Sequence, residues 1–202
     1  MKVIEPSVYL EQKLDADSIM RHIEKAGRVC YKSEGHISDN SAENFIKKIL
    51  IQGHESVIEH VSVTFHVVCD RGVTHEIVRH RIASYSQEST RYCNYSQDKF
   101  GKELTFIKPC FWNEGSDNYA LWKALMLDIE KKYFELLDKG ATPQQARSIL
   151  PNSLKTEIII TMILREWRHF LKLRTSKEAH PQMRQVAIMI YKVFNDLGVK
   201  SN

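Results

Sequence analysis

Apolar positions change period several times along the chain, and each change marks an element. From Asp17 to about Cys30, Ile19, Ile23 and Ala26 fall on one stripe, the spacing of an amphipathic helix. A second helix is expected from about Ala42 to Gln52, with Ser41 as a candidate cap and Gly53 as a stop. Val61 to Val67 alternates apolar and polar side chains and gives the strongest strand signal. Residues 2–10 suggest a short opening strand, and Leu104–Ile107 another that Pro109 stops. Asp70 to about Ala83 is expected to be helical, feeding a Ser-, Tyr-, Gln- and Asn-rich loop over 84–98. Ser116 to Lys139 is the longest helical pattern, with Ala120, Ala124, Leu127, Lys131 and Phe134 close to one side and Gly140 at its end. Thr142-Pro143 is a helix start, in which Thr caps and Pro takes the first helical position, and Pro151 ends that short helix. Glu157 to about Met162 is β-branched and strand-like; Ile163 belongs either to that strand or to the next helix. Helices are expected over 163–174 and 181–196, the second stopped near Gly198. The sum is a mixed α+β chain of one domain spanning 1–202, a mixed sheet packed with helices and a helix-rich C-terminal half; a doubly wound sheet does not fit.

Composition narrows the class without naming a function. Hydrophobic residues make up 43% and charged residues 27%, ordinary for a soluble globular chain of 202 residues. No apolar run reaches the roughly 18 residues needed to span a bilayer, and the N-terminal stretch lacks the apolar core of a secretory signal. The expected setting is therefore the cytoplasm, with no membrane partner. Cys30, Cys69, Cys93 and Cys110 form no CxxC pair and are expected to be reduced, mostly buried thiols. A net charge of +4 suits an anionic ligand but is too small to argue for nucleic acid.

Placement of charge says more than its sum. Residues 79–92 gather Arg79, Arg81 and Arg91 with His80, Gln87 and several hydroxyl groups. Arginine offers a planar fork that grips phosphate or carboxylate at two points, and neighbouring Ser, Tyr and Gln side chains can complete such a cage. On a helical wheel of 70–84, Ile77, His80, Arg81 and Ser84 lie on the side of Val73, with Arg79 well away. Such a helix either ends in solvated arginines or hands them to a ligand, because unpaired buried charge is costly. In the helix 163–174, Ile163, Trp167, Phe170, Leu171 and Arg174 share one stripe. Arg174 either snorkels over that stripe to a carboxylate at the rim or points into a pocket. Arg165, Arg168, His169 and Lys172 lie on the other side. His54, Glu55, Glu59 and His60 resemble a metal set only superficially, since the offsets are not those of HExxH; no metal is expected. A P-loop, a GxGxxG turn and a GxSxG elbow are all absent from the sequence.

The stretch RHRIASYSQES resembles the RHR-x₇-S signature of flavin-dependent thymidylate synthases, with Arg79-His80-Arg81 as the triplet and Ser89 as the serine. Further features agree in order: the HESxxEH block at 54–60 ahead of VSVTFHV, Arg91-Tyr92, Ala146-Arg147-Ser148-Ile149-Leu150-Pro151, and REWRHFLKLR at 165–174 followed by Ala179-His180-Pro181-Gln182. The similarity runs over about residues 20–195.

That resemblance implies reductive methylation of dUMP to dTMP, with methylenetetrahydrofolate as carbon donor and NADPH supplying reducing equivalents through FAD. It implies flavin contacts from His54, Arg79, His80, Arg81, Gln87, Arg165 and His169. It implies a dUMP set of Glu76, Arg79, Gln87, Glu88, Ser89, Thr90, Arg91, Arg147 and Arg174, in which Arg91 and Arg147 grip phosphate. Arg174 is implied as the catalytic arginine that polarises the uracil. It also implies a homotetramer with active sites built from several subunits. Two departures stand out. Ile163 takes the place of an Asn that many members carry in an N-x-R pattern contacting FAD, and Glu76 stands where some carry Gln. Two rivals remain: a nucleic-acid module that uses the arginines on phosphates, and a family member that binds nucleotide without turnover. The first would need exposed stacking aromatics, whereas Trp167 and Phe170 read as core.

Overall fold

The computed structural model describes residues 1–198. Its frame is an antiparallel sheet of four strands, in the spatial order Ser7–Leu10 (β2), Ser62–Asp70 (β3), Lys155–Ile163 (β6) and Ala83–Gln87 (β4). β3 and β6 pair along their whole length, from Ser62 opposite Ile163 to Asp70 opposite Lys155. Alternation gives the sheet two faces. Val63, Phe65, Val67, Ile158, Ile160 and Met162 are buried in the main core, while Thr64 meets Thr161 at 2.9 Å and His66 meets Glu157 at 2.9 Å on the other face.

The main core is closed by residues of Ala16–Val29 (α1), Ser41–Ile51 (α2), Arg71–Ile77 (α3), Leu164–Arg174 (α6) and Pro181–Asp196 (α7). Trp167 lies at its centre, 1% exposed, edge-on to Phe65 and Phe170, with its indole N–H donating to the Val63 carbonyl at 3.0 Å. A second apolar cluster gathers beside it around Asp117–Asp138 (α4), Pro143–Ala146 (α5) and Thr105–Ile107 (β5). There β5 pairs in parallel with Lys2–Ile4 (β1). Among the described residues, no helix is long and apolar enough to cross a membrane.

Several expectations need correction. Residues 2–10 form two strands in two sheets, because Pro6 has no N–H to offer a ladder and the chain passes there from one sheet to the other. The helix expected over Asp70–Ala83 ends at Ile77. Asp70 caps it, its Oδ1 accepting the Val73 N–H at 2.7 Å. Instead of entering a loop, Ala83–Gln87 becomes the edge strand β4 on β6. Its period of two was present, with Ala83, Tyr85 and Gln87 more buried than Ser84 and Ser86, but the strand that completes its ladder lies far along the chain.

On α4 the buried side is Tyr119, Trp122, Met126 and Tyr133; of the expected stripe, Ala120, Ala124, Leu127 and Lys131 are exposed, and Phe134 is half-buried against the second cluster. The aromatic residues carry far more apolar area, and that decides the orientation. Ser41 is the first helical residue of α2 rather than its cap; its hydroxyl accepts the Ser38 N–H and donates to the fully buried Glu24. All four cysteines are free, but only Cys69 is buried; Cys30 and Cys110 are exposed.

Trp167→Ala should cost about 3–5 kcal/mol of stability, read as a lower urea midpoint. Trp167→Phe should cost less, but measurably, because the buried Val63 carbonyl loses its donor.

Candidate active site

β6 runs without a loop into α6, whose first residue donates its N–H to the Val61 carbonyl at 2.9 Å. That junction fixes the direction of α6 across the end of α3. Leu164, Trp167, Phe170 and Leu171 enter the core. The adjoining flank carries Glu166, His169, Leu173 and Arg174, which line a cavity of about 700 Å³ together with Glu76, Arg79, His80, Arg81 and Ile82.

Arg174 is the fixed point of this cavity. Only 13% of its side chain is exposed. Its Nη1 donates to Glu76 Oε2 at 2.8 Å and its Nη2 to the Glu76 carbonyl at 3.0 Å. Its Nε donates to His80 Nε2 at 3.1 Å. Guanidinium has five N–H groups and no acceptor; these bonds leave one N–H on each terminal nitrogen for whatever enters the cavity.

The Arg174 contact also shows which nitrogen of His80 carries the proton. A ring nitrogen that accepts from guanidinium carries no hydrogen, so Nδ1 holds the proton and donates to Glu166 Oε1 at 2.9 Å. His80 is 4% exposed, with Phe170 against its ring at 4.9 Å between centroids. Burial holds its pKa below the ordinary value, and the Arg174 charge adds to that, against the opposing pull of Glu166. The turn bearing His80 is pinned by the Tyr85 hydroxyl, 2.9 Å from the Ile77 carbonyl oxygen and 2.5 Å from that of His80. His80, Glu166 and His169 bring their donor atoms within 4.8 Å of one another, the spacing of a cation site. Both His80 nitrogens already have partners, however, and one is a guanidinium, so Glu166, His80 and Arg174 form a hydrogen-bond relay with the His169 ring beside it.

A second cavity of about 820 Å³ adjoins the first and shares Ile82, Glu166 and His169 with it. Arg165 and Ile163 lie in its wall. Arg165 is half exposed and matched by Glu59 at 2.6 Å and Glu55 at 3.4 Å. Ile163 sits at the start of α6, where its side chain makes no cap bond; it gives this cavity an apolar wall.

The remaining expected residues form a separate arm. Gln87 donates to Thr74 and Thr156 hydroxyls at 3.0 and 3.2 Å, and Thr90 is buried. The Glu88 carboxylate is committed inside the protein, to Lys155 at 3.0 Å and the Tyr95 hydroxyl at 2.8 Å. Burial, reinforced by that carboxylate, pushes the Tyr95 phenol well above its usual range. Ser89 Oγ accepts the Arg91 N–H at 3.3 Å. Arg91 is exposed and donates to Gln144 Oε1 at 3.0 Å, on the short helix that precedes the exposed Arg147. His54 lines neither cavity, although Glu55 beside it lines the second; it is exposed, 3.4 Å from the Tyr31 hydroxyl.

Thus Glu76, Arg79, His80, Arg81, His169 and Arg174 come together within the chain, while Gln87 to Arg91, Arg147 and His54 do not join them. Sequence reasoning gave Glu166 no role, although it shares a helical flank with His169 and Leu173 at i, i+3 and i+7. Lys155 and Tyr95, which hold Glu88, gave no local signal. Trp167 and Phe170 are buried, so they offer no stacking platform for nucleic acid.

The family described as thymidylate synthase complementing protein matches residues 14–197. A flavin-dependent thymidylate synthase from Pyrococcus furiosus is 38% identical over 180 residues, covering 89% of this chain and 73% of that protein. Further relatives of the same name are matched over 61% to 62% of their length, less than two thirds. Among solved structures, a UMP/dUMP methylase from Streptomyces cacaoi bound with 5-Br dUMP shares the fold with a TM-score of 0.79 at 24% identity, over 98% of this chain and 93% of that one. Thymidylate synthase X from Helicobacter pylori, solved with FAD and dUMP, does so with a TM-score of 0.75 at 22% identity, over 96% and 95%.

The depressed His80 pKa sets a pH dependence of stability. The unfolded chain takes up this proton near 6.5, before the folded one does. Stability should therefore fall as pH drops through about 6.5 towards the lower folded value. Urea titrations between pH 8 and pH 5 should show this slope, and His80→Asn should flatten it.

Proposed function

Because the chain belongs to the thymidylate synthase complementing protein family, that of the flavin-dependent thymidylate synthases, we propose that it converts dUMP to dTMP, with methylenetetrahydrofolate as carbon donor and NADPH-reduced FAD as the source of hydride. The observation that carries this reading is the Arg174 guanidinium, held by Glu76 and His80 with N–H groups left over towards a cavity that Arg79 and Arg81 also line.

The residues suit the groups the reaction needs. Two adjoining cavities of about 700 and 820 Å³ have apolar walls in Ile82, Leu171, Leu173 and Ile163 and cationic side chains at Arg79, Arg81 and Arg165. That combination accepts a flat aromatic ring with anionic substituents. When bound, FAD supplies the hydride chemistry that no side chain can. Arg79, His80, Arg81, Gln87, Arg165, His169 and His54 are the proposed flavin contacts. Arg165 enters with its charge already matched by Glu55 and Glu59, and Ile163 makes the flavin wall apolar where relatives of the N-x-R pattern would offer an amide.

Arg174 is the proposed catalytic residue. Its free N–H groups meet the pyrimidine, where they stabilise the enolate-like charge that builds up as the ring is activated and its proton is lost. A donor fixed before the reaction, on a side chain only 13% exposed, needs no reorganisation at that moment. Glu76 keeps the guanidinium in place and partly balances its charge. Gln87, Glu88, Ser89, Thr90, Arg91 and Arg147 are proposed to hold the nucleotide, the two arginines at its phosphate. With its carboxylate occupied by Lys155 and Tyr95, Glu88 contributes by anchoring the arm that carries Ser89, Thr90 and Arg91.

A homotetramer belongs to the same proposal. Its support is that Arg91, Arg147 and His54 lie outside the Arg174 cavity and are exposed, so a site using all of them draws on more than one copy. A cytoplasmic setting is supported by the unpaired state of all four cysteines.

The purified protein should be yellow. Its flavin absorbance should bleach with NADPH and return on adding dUMP and methylenetetrahydrofolate, as dTMP forms. Protein that takes up no FAD and makes no dTMP would sink the proposal. Arg174→Ala should lower turnover by about two to three orders of magnitude while flavin is retained; a wild-type protein that binds dUMP without turnover would instead be a family member that has lost the chemistry.

A further inference from the structure

We propose that Glu166 is a positioning residue for Arg174: its carboxylate selects the one form of His80 that can receive the Arg174 Nε–H, and thereby sets the plane of the guanidinium that meets the pyrimidine. The part concerning the pyrimidine rests on the function proposed above; the relay itself does not.

His80 can exist as two neutral tautomers and one cation. Only the neutral form with hydrogen on Nδ1 satisfies both neighbours, donating to Glu166 at 2.9 Å and accepting from Arg174 at 3.1 Å. In the other tautomer Nε2–H would face the Arg174 Nε–H, donor against donor, and the Nδ1 lone pair would face a carboxylate. The cation would keep the Glu166 bond but set a second positive charge against the guanidinium. Water is a poor substitute for any of these partners, since His80 is 4% and Glu166 8% exposed.

The charged and titratable groups around the ring agree with this assignment. From α6 come Glu166, His169 and Arg174, with the His169 ring centroid 5.6 Å from that of His80. From α3, Glu76 acts through Arg174. Arg79 and Arg81 flank the ring in sequence and line the same cavity. From β4, the Tyr85 hydroxyl donates to the backbone carbonyls of Ile77 and His80 rather than to the ring. Among these groups Glu166 is the acceptor bonded to Nδ1, so it decides where the proton sits.

Arg174 has two further anchors, both on Glu76. They hold the terminal nitrogens, and the fork can still pivot about Glu76 if the Nε bond is lost. A pivot of this kind misaims the leftover N–H groups while leaving the charge in the cavity. The expected signature is loss of rate with little loss of binding.

The test uses the flavin-loaded enzyme labelled with ¹⁵N-histidine. His80 is identified as the signal missing from His80→Asn, and its tautomer is read from the two ring nitrogen shifts. Wild type should show a neutral ring protonated on Nδ1. Glu166→Met, which keeps volume but offers no acceptor, should shift His80 away from that tautomer and lower kcat by about 10- to 100-fold. Its dUMP dissociation constant and flavin content should stay within about threefold of wild type. Glu166→Gln keeps an acceptor oxygen and should restore both the tautomer and most of the rate.

A wild-type His80 protonated on Nε2 would overturn the proposal, and so would a Glu166→Met enzyme with unchanged tautomer and kcat. If Glu166→Met does not fold, the wild-type tautomer and the Glu166→Gln enzyme decide the matter. If wild type makes no dTMP, the functional reading fails, while the tautomer still decides the relay.

Discussion

A guanidinium that is mostly withdrawn from water must have its N–H groups matched by acceptors, because an unmatched buried charge costs several kcal/mol. At Arg174 that requirement ties distant stretches of chain together. Glu76 comes from the last turn of α3, His80 from the turn that follows it, and Glu166 from the opposite end of the helix that carries Arg174. None of these bonds forms until α6 lies across the end of α3. The cavity is therefore a product of tertiary packing, and its charge is oriented before any ligand arrives.

β6 makes that packing reproducible. It is paired on both sides, with β3 along its full length and with β4 from Ala83 to Gln87. At one end Lys155 holds the Glu88 carboxylate and so anchors the arm carrying Ser89, Thr90 and Arg91. At the other end the strand becomes α6 and delivers Arg174. Register in a sheet with one buried face is strongly specified, since a slip of one residue would turn Ile158, Ile160 and Met162 outward. The two arms of the site thus inherit their separation from an apolar alternation that has no chemistry of its own.

The features legible in the sequence were those with a local cause. The alternation of Val61 to Val67, the Thr142-Pro143 start and the stripe of α6 each follow from neighbours within a turn or a strand, and each appears where expected. The inward side of Arg174 was legible for the same reason. The end of α3 and the strand β4 were not, because Ala83–Gln87 becomes a strand only when residues 158–162 offer it a ladder. Glu166 was hidden differently. Its spacing from His169 and Leu173 was visible, but a Glu on a polar flank normally faces water; only the turn bearing His80 makes it buried. On α4 most of the expected stripe misled because spacing was weighed and buried area was not: Trp122, Met126 and Tyr133 outweigh Ala120, Ala124 and Leu127, and only Phe134 of that stripe packs inward.

The divided placement of the arginines carries an argument about assembly. Arg91 and Arg147 stand in water, where a phosphate bound to them is screened by salt and competes with solvent. Arg174 sits where each bond is stronger because water is scarce. A nucleotide gripped only by the first pair would be held weakly, and one gripped only by Arg174 would leave its phosphate unmatched. The surface near these groups is also apolar in places, with Ile82 65% and Tyr92 75% exposed. Bringing such a surface against another copy would bury apolar area and exclude water from the exposed arginines in one step. On the proposed tetramer, then, the forces that join subunits and the forces that strengthen phosphate binding are the same, which makes assembly a condition of the chemistry rather than an addition to it.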